Sequence, residues 1–221
     1  FKSIKTIVMN INTRKTSIVL GNDEKVLFGK GYIEDELCGL KFKISPKSFY
    51  QINRDQCEVL YHKALSLLNL KGDETVIDTY CGIGTIGMVA SKKAKQVIGV
   101  ELNKDAVKDA IYNAKMNNIK NIRFINEDAT AFMVELAKEK IVIDAVIMDP
   151  PRSGTTPAFI NAVKALLPKQ VVYISCDPST QVQDLALFKK AGYKFDTMIP
   201  VDMFPMTEHV ETVVLMSRVE K

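Results

Sequence analysis

Three carboxylates and one thiol stand where an apolar run meets a polar turn. Asp78 opens "DTYCGIGTIG" (78–87), Asp128 closes "INED", Asp149 begins "DPPRSG" (149–154), and Cys176 lies in "YISCDPST" (173–180). A cysteine in such a place either packs as a small hydrophobe or acts as a nucleophile, and its neighbours decide which. Gly82, Gly84 and Gly87 spell G-x-G-x-x-G, which lets a backbone turn sharply and approach a ligand. Glu101, at the end of "QVIGVE", stands where a carboxylate would hold two ribose hydroxyls.

The glycine loop fits a dinucleotide dehydrogenase as well as an S-adenosylmethionine enzyme, so charge must discriminate. A pyrophosphate seeks bare amides at a helix N-terminus, whereas S-adenosylmethionine carries an ammonium and a sulfonium and seeks carboxylates. Asp78 would repel a pyrophosphate and suit the ammonium; Asp128 is placed to accept from an adenine amino group; Asp149 faces the position of a transferable methyl. Each alone reads equally as a strand-end or helix-capping aspartate. Together, in register with the glycines, they favour the methyltransferase.

Enzymes that methylate exocyclic amines follow Asp-Pro-Pro with an aromatic residue, which stacks on an extruded base; here Arg152 stands in that position, which argues against an amine target. Cys176 ends the next strand and would set its sulfur beside "DPPR". Carbon 5 of uracil is a poor nucleophile until a thiolate adds at carbon 6, so a pyrimidine C5 methyltransferase needs a cysteine and also a base.

The elements that must position these groups follow from periodicity. The first fifty residues alternate in the strand manner as "TIVMNI", "TSIVLG" and "KVLFGKGYI" and predict a small antiparallel β unit. From Arg54 onward helices alternate with seven short apolar strands, from "TVIDTY" to "ETVVLMSRV". That alternation predicts a mostly parallel sheet covered on both faces, with ligands at the carboxyl ends of its strands. Thr180 and Gln183 have capping-box spacing for the helix after Cys176, and the charge of Asp177 is expected to raise the thiol's pKa.

Of the 221 residues, 47% are hydrophobic and 25% charged, with a net charge of +4 that permits an anionic partner without requiring one. Four scattered cysteines and two histidines exclude a disulfide framework or a His-rich metal site, and no metal is expected. No apolar run is long enough to cross a membrane; the scattered cysteines make a reducing cytoplasm the expectation, and a monomer is expected. The start at Phe1, without an initiator Met, reads as a fragment whose upstream part has been removed.

On "FKISPKSFYQIN" (42–53), "DTYCGIGTIG", "GVELN" (99–103), "DPPRSG", "ISCDPST" (174–180) and "DMFPMTEHVE" (202–211), the chain resembles the RNA uracil-5-methyltransferases that act on 23S ribosomal RNA and on the tRNA T-loop. The resemblance implies a class I S-adenosylmethionine-dependent methyltransferase fold, Rossmann-like, in residues 51–221. Residues 1–50 would then be the β-rich remainder of the family's central domain. It implies Cys176 as nucleophile, Glu211 as base, and Gln51, Tyr80, Glu101 and Asp149 lining the cofactor and uracil pocket, with Gly82 and Asp128 as the further cofactor contacts read above. The implied substrate is RNA, 23S rRNA in preference to tRNA. A nicotinamide dehydrogenase would leave Cys176 and Glu211 without work, and a non-catalytic RNA-binding module would make both incidental. Cys38, Cys57 and Cys81 read as packing, while Lys41, Lys43, Lys47 and Arg54 cluster around "SFYQIN" as phosphate contacts or a solvated basic face.

Overall fold

The computed structural model describes residues 1–15 and 19–219, apart from the side chain of Asp196. The chain opens with two antiparallel hairpins. Strand β1 (Thr6–Ile11) pairs with β2 (Asp23–Gly29), and β3 (Ile33–Leu37) pairs with β4 (Leu40–Ile44). The expected strand "TSIVLG" lies partly outside the described residues, at 16–18, and Val19 to Gly21 are not in a strand, because β1 takes its partner from residues 23–29. "KVLFGKGYI" is not one strand either: it turns after Gly29 and resumes in β3. Cys38 and Gly39, at φ 52° and 69°, make the tight turn between β3 and β4, the left-handed pair that a two-residue hairpin prefers.

Six helices and seven strands follow: α1 (Arg54–Leu68), β5 (Thr75–Thr79), α2 (Thr85–Ser91), β6 (Gln96–Glu101), α3 (Lys104–Met116), β7 (Ile122–Asn126) and α4 (Ala129–Glu139). Then come β8 (Ala145–Met148), α5 (Pro157–Leu166), β9 (Gln170–Ser175), α6 (Pro178–Lys190), β10 (Tyr193–Val201) and β11 (Glu211–Arg218). The strands form one sheet in the order β10-β11-β9-β8-β5-β6-β7, in which β11 alone runs antiparallel to its neighbours. Both faces are covered, which is why β8 is wholly apolar, β9 is apolar between Gln170 and Ser175 except for the Tyr173 hydroxyl, and β5 has Val76 and Ile77 at its centre, ahead of the buried polar pair Asp78 and Thr79. Val76 faces a core that includes Leu60, Met88 and Ala114 from α1, α2 and α3. Ile77 faces Met133, Phe159 and Phe188 from α4, α5 and α6. The order of strands reverses between β5 and β8, and the crevice beyond their carboxyl ends is where such a sheet binds ligands.

Helix starts are set by short polar side chains. Asn53, Asn103, Asp128, Thr156 and Asp177 each accept a backbone N–H from the first turn that follows. For α6 this replaces the capping box expected at Thr180: the cap lies three residues earlier, at Asp177, which accepts from the N–H groups of Ser179 and Thr180, and the helix begins at Pro178.

Candidate active site

The glycine loop leaves β5 through Tyr80, which adopts φ 64°. The N–H of Cys81 donates to the Val100 carbonyl at 3.0 Å, and that of Gly82 to Oε2 of Glu101 at 3.0 Å. Oε1 of Glu101 accepts from the Asn103 N–H at 2.7 Å, so this one carboxylate ties the loop to the start of α3. Around Gly82 (φ 54°) nothing lies within 4 Å of where a side chain would begin, which leaves an open cradle; at Gly87 a side chain would meet Oδ2 of Asp78 at 2.6 Å. Asp78 is fully buried beneath the loop, and among the described residues neither of its oxygens has a hydrogen-bond partner. Burial, with Asp149 and Glu101 nearby, raises its carboxyl well above the ordinary range. A buried acid with no cation beside it suits a cationic ligand.

Asp149 follows β8, and burial together with the charge of Glu211 pushes its carboxyl up to about 7. The loop after it is pinned to α6. Thr180 Oγ1 donates to the Arg152 carbonyl at 2.8 Å, and the Thr155 N–H donates to Oδ2 of Asp184 at 2.9 Å. That same oxygen accepts from the Tyr173 hydroxyl at 2.7 Å. Tyr80 reaches the loop from the other side, its hydroxyl 3.3 Å from Thr155 Oγ1.

Cys176 follows β9 and Glu211 opens β11. Each stands one residue beyond the last pair of the β11–β9 ladder, Thr212 with Ser175, and the charge of Glu211 reaches the thiol. Burial and the charges of Glu211 and Asp149 raise the thiol's pKa, while the neighbouring Arg152 guanidinium opposes them. Glu211 is itself buried and raised in pKa for that reason, with Arg152 again opposing. Asp177, expected to perturb the thiol, is not among these causes, because its carboxylate is turned into the cap of α6. The site therefore joins a thiol, two acids of raised pKa and one guanidinium.

The remaining candidates divide. Asp128 lies on the same sheet edge, but its Oδ1 is engaged by the Ala131 N–H at 2.9 Å, so it caps α4. Gln51 lies in the segment before α1, and no hydrogen bond among the described residues joins it to Cys176 or Asp149. Asn53, two residues on, donates to the Met203 carbonyl at 3.0 Å and so clamps the Gln51 segment to the one that leads to Glu211. Between these segments opens a groove of about 580 Å³, lined by Ile52, Asn53, Arg54, Met203 and Phe204 among others. The basic cluster is largely engaged within the chain. Lys43 donates to Asp109 at 2.8 Å, Lys47 to the Asn22 carbonyl at 2.6 Å, and Arg54 contacts Asp55 at 3.4 Å. Cys57 and Cys81 are buried, and Cys38 is a turn residue. Arg152 is the residue that motif reading passed over; its signal was a cation in a place where an amine methylase carries a ring.

Strand order, the reversed β11 and a glycine loop at the switch point together define the S-adenosylmethionine-dependent methyltransferase fold. The sequence model of the tRNA (uracil-5-)-methyltransferase family matches residues 4–219, and the chain belongs to that family. It is 46% identical over 221 residues to a protein of Bacillus cereus (strain ATCC 10987 / NRS 248) described as an uncharacterized RNA methyltransferase, covering 100% of this chain and 48% of that one. A Lactobacillus johnsonii protein of the same description is 47% identical over 220 residues, covering 100% of this chain and 49% of its own. The chain thus spans about half the length of the curated relatives it matches. The crystal structure of Pyrococcus abyssi tRNA (uracil-54, C5)-methyltransferase in complex with S-adenosyl-L-homocysteine superposes with a TM-score of 0.79 at 29% identity, over 96% of this chain and 50% of that one. A more distant M. jannaschii tRNA m1G37 methyltransferase (TM-score 0.66, 16% identity, 90% of this chain and 61% of that one) shares the fold.

Proposed function

We propose that this chain carries the catalytic part of an S-adenosylmethionine-dependent RNA uracil-5-methyltransferase. The observation that carries the reading is the meeting of Cys176, Glu211, Asp149 and Arg152 at one sheet edge beside the glycine loop. The residues present suit the cofactor: a buried acid without a partner, an open glycine cradle and the Glu101 carboxylate. Gln51, Tyr80, Gly82, Glu101, Asp128 and Asp149 would hold it. When bound, S-adenosylmethionine supplies an electrophilic methyl group on a sulfonium.

The chain's own residues do the rest. Arg152 favours the thiolate of Cys176, which adds to carbon 6 of uracil and sends the ring's electron pair toward oxygen 4, making carbon 5 nucleophilic. Once carbon 5 holds its methyl group, the Glu211 carboxylate removes the carbon 5 proton, the carbon 6–sulfur bond breaks, and the thiolate returns. Burial raises the pKa of Glu211, which makes its carboxylate a stronger base than an exposed one. A cytoplasmic monomer acting on RNA is the accompanying reading; no helix among the described residues is long and apolar enough to cross a membrane.

Incubation with methyl-labelled S-adenosylmethionine and with 23S rRNA or tRNA, followed by nucleoside mass spectrometry, tests this. Labelled 5-methyluridine is expected, and the RNA that carries it identifies the substrate, 23S rRNA being the one proposed and tRNA the alternative. Label on another nucleoside, or no transfer to either RNA, would overturn the reading.

A further inference from the structure

Among the described residues, the outer edge of β4 has no strand beside it. Its other edge pairs with β3, and an open edge leaves a row of N–H and C=O groups to satisfy. Here helix α3 satisfies them with side chains. Asn117 accepts from the Lys41 N–H at 2.9 Å and donates to the Lys41 carbonyl at 2.6 Å. Asn113 does the same for Lys43, at 2.7 and 3.2 Å. Asp109 accepts from the Ser45 N–H at 3.1 Å, from the Ser48 hydroxyl at 3.1 Å and from the Lys43 ammonium at 2.8 Å. Positions 109, 113 and 117 form one stripe at a spacing of four residues. They read Lys41 and Lys43 of β4 and then Ser45 just beyond it, alternate residues, as a neighbouring strand would.

The stripe continues to both halves of the cofactor site. Asn103, the cap of α3, donates to the Lys47 carbonyl at 3.2 Å, and its own N–H rests on Glu101. Asn113, fully buried, also donates to the carbonyl of Ile83 inside the glycine loop, at 3.4 Å. One amide thus touches the strand that leads to Gln51 and the loop under the cofactor. Buried polar groups of this kind are costly unless every bond is made, so the loop and the strand are held in a fixed relation.

We propose that Asn113 is a positioning residue for cofactor binding: with Asp109 and Asn117 it sets the Gln51 segment against the glycine loop, and through Ile83 it couples order in one to order in the other. This rests on the cofactor reading above. Calorimetry and hydrogen exchange with S-adenosylhomocysteine test it on the protein as it stands. Binding should slow exchange of the Lys41, Lys43 and Ser45 amides, which lie on the far side of Asn113 from the glycine loop, by roughly tenfold. Asn113→Ala should abolish that protection, whereas Asn117→Ala should speed exchange at Lys41 and leave the Ser45 response intact. Losses of affinity from Asn113→Ala and Gln51→Ala should overlap, the double variant falling no more than about threefold below the weaker single one. Binding heat without protection of those amides in the unaltered protein, or fully additive losses, would overturn the coupling alone. No binding heat at all would overturn the cofactor reading and the coupling with it.

Discussion

Glu211 and Cys176 come to the same sheet edge because β11 runs against β9: each stands one residue beyond the last pair of that ladder, Thr212 with Ser175. The two residues come from different motifs and meet only because the last strand is inserted in reverse. If they act as nucleophile and base, their variants must fail at different steps. Cys176→Ala should give no methyl transfer and no covalent protein–RNA species. Glu211→Gln should attack and methylate, yet remain bonded to the methylated RNA, because only removal of the carbon 5 proton releases the thiolate. A denaturing gel with S-adenosylmethionine present should show that adduct, and the double variant should not. RNA containing 5-fluorouridine should trap the unaltered enzyme in the same way. Normal turnover by Glu211→Gln would remove the acid from the mechanism.

Arg152 opposes the three influences that raise the pKa of Cys176: burial and the charges of Glu211 and Asp149. Removing the guanidinium should therefore move the thiol's titration to higher pH. Alkylation of Cys176 by iodoacetamide, followed between pH 7 and 10, should be slower in Arg152→Met by about 3- to 10-fold at pH 8. Arg152→Lys should lie between that variant and the unaltered protein. An unchanged pH profile would separate the guanidinium from the sulfur.

Asp149 makes a prediction about stability. Its carboxyl is raised from 3.8 to about 7 in the fold, so the folded chain binds a proton that the unfolded chain has released. Stability from this source is full below about pH 4 and is lost as pH rises through about 7. Asp149→Asn should match the unaltered protein in denaturant titrations at pH 4 and exceed it at pH 8 by about 2 kcal/mol, since the carboxyl keeps partial exposure. The same variant should lose methyl transfer, as is common where a strained site serves function.

Glu101 accepts two backbone N–H groups, from Gly82 and Asn103, and would accept two ribose hydroxyls besides. Glu101→Ala should weaken S-adenosylhomocysteine binding by about 1.5–3 kcal/mol in calorimetry. Glu101→Gln, which keeps an acceptor for Gly82, should lose less. Equal losses would show that the loop contact contributes nothing to affinity.

Much of this was legible in the chain. The alternation of helices with apolar strands after Arg54 specified the layered sheet, and residues at strand ends named the edge where Asp149 and Cys176 would meet the glycine loop. Periodicity worked there because β8 and β9, like Val76 and Ile77 of β5, are buried on both faces and so read as short apolar runs. It failed where short segments compete for partners: "KVLFGKGYI" divides between two hairpins, and Asp177 starts α6 before Thr180 can. Lys43 and Lys47 read as candidates for phosphate, but their ammonium groups meet Asp109 and Asn22.

The sequence by itself determined the residue types, the loop glycines and the order of elements, since these depend on local propensity and on spacing along the chain. Only the tertiary structure decided which charges share a low-dielectric pocket. The raised acids of Asp78 and Asp149, the guanidinium beside Cys176, and the side-chain ladder of α3 on β4 all arise from groups brought together across long stretches of chain. Burial and electrostatic coupling depend on distance in space, and no periodicity in the chain encodes that distance.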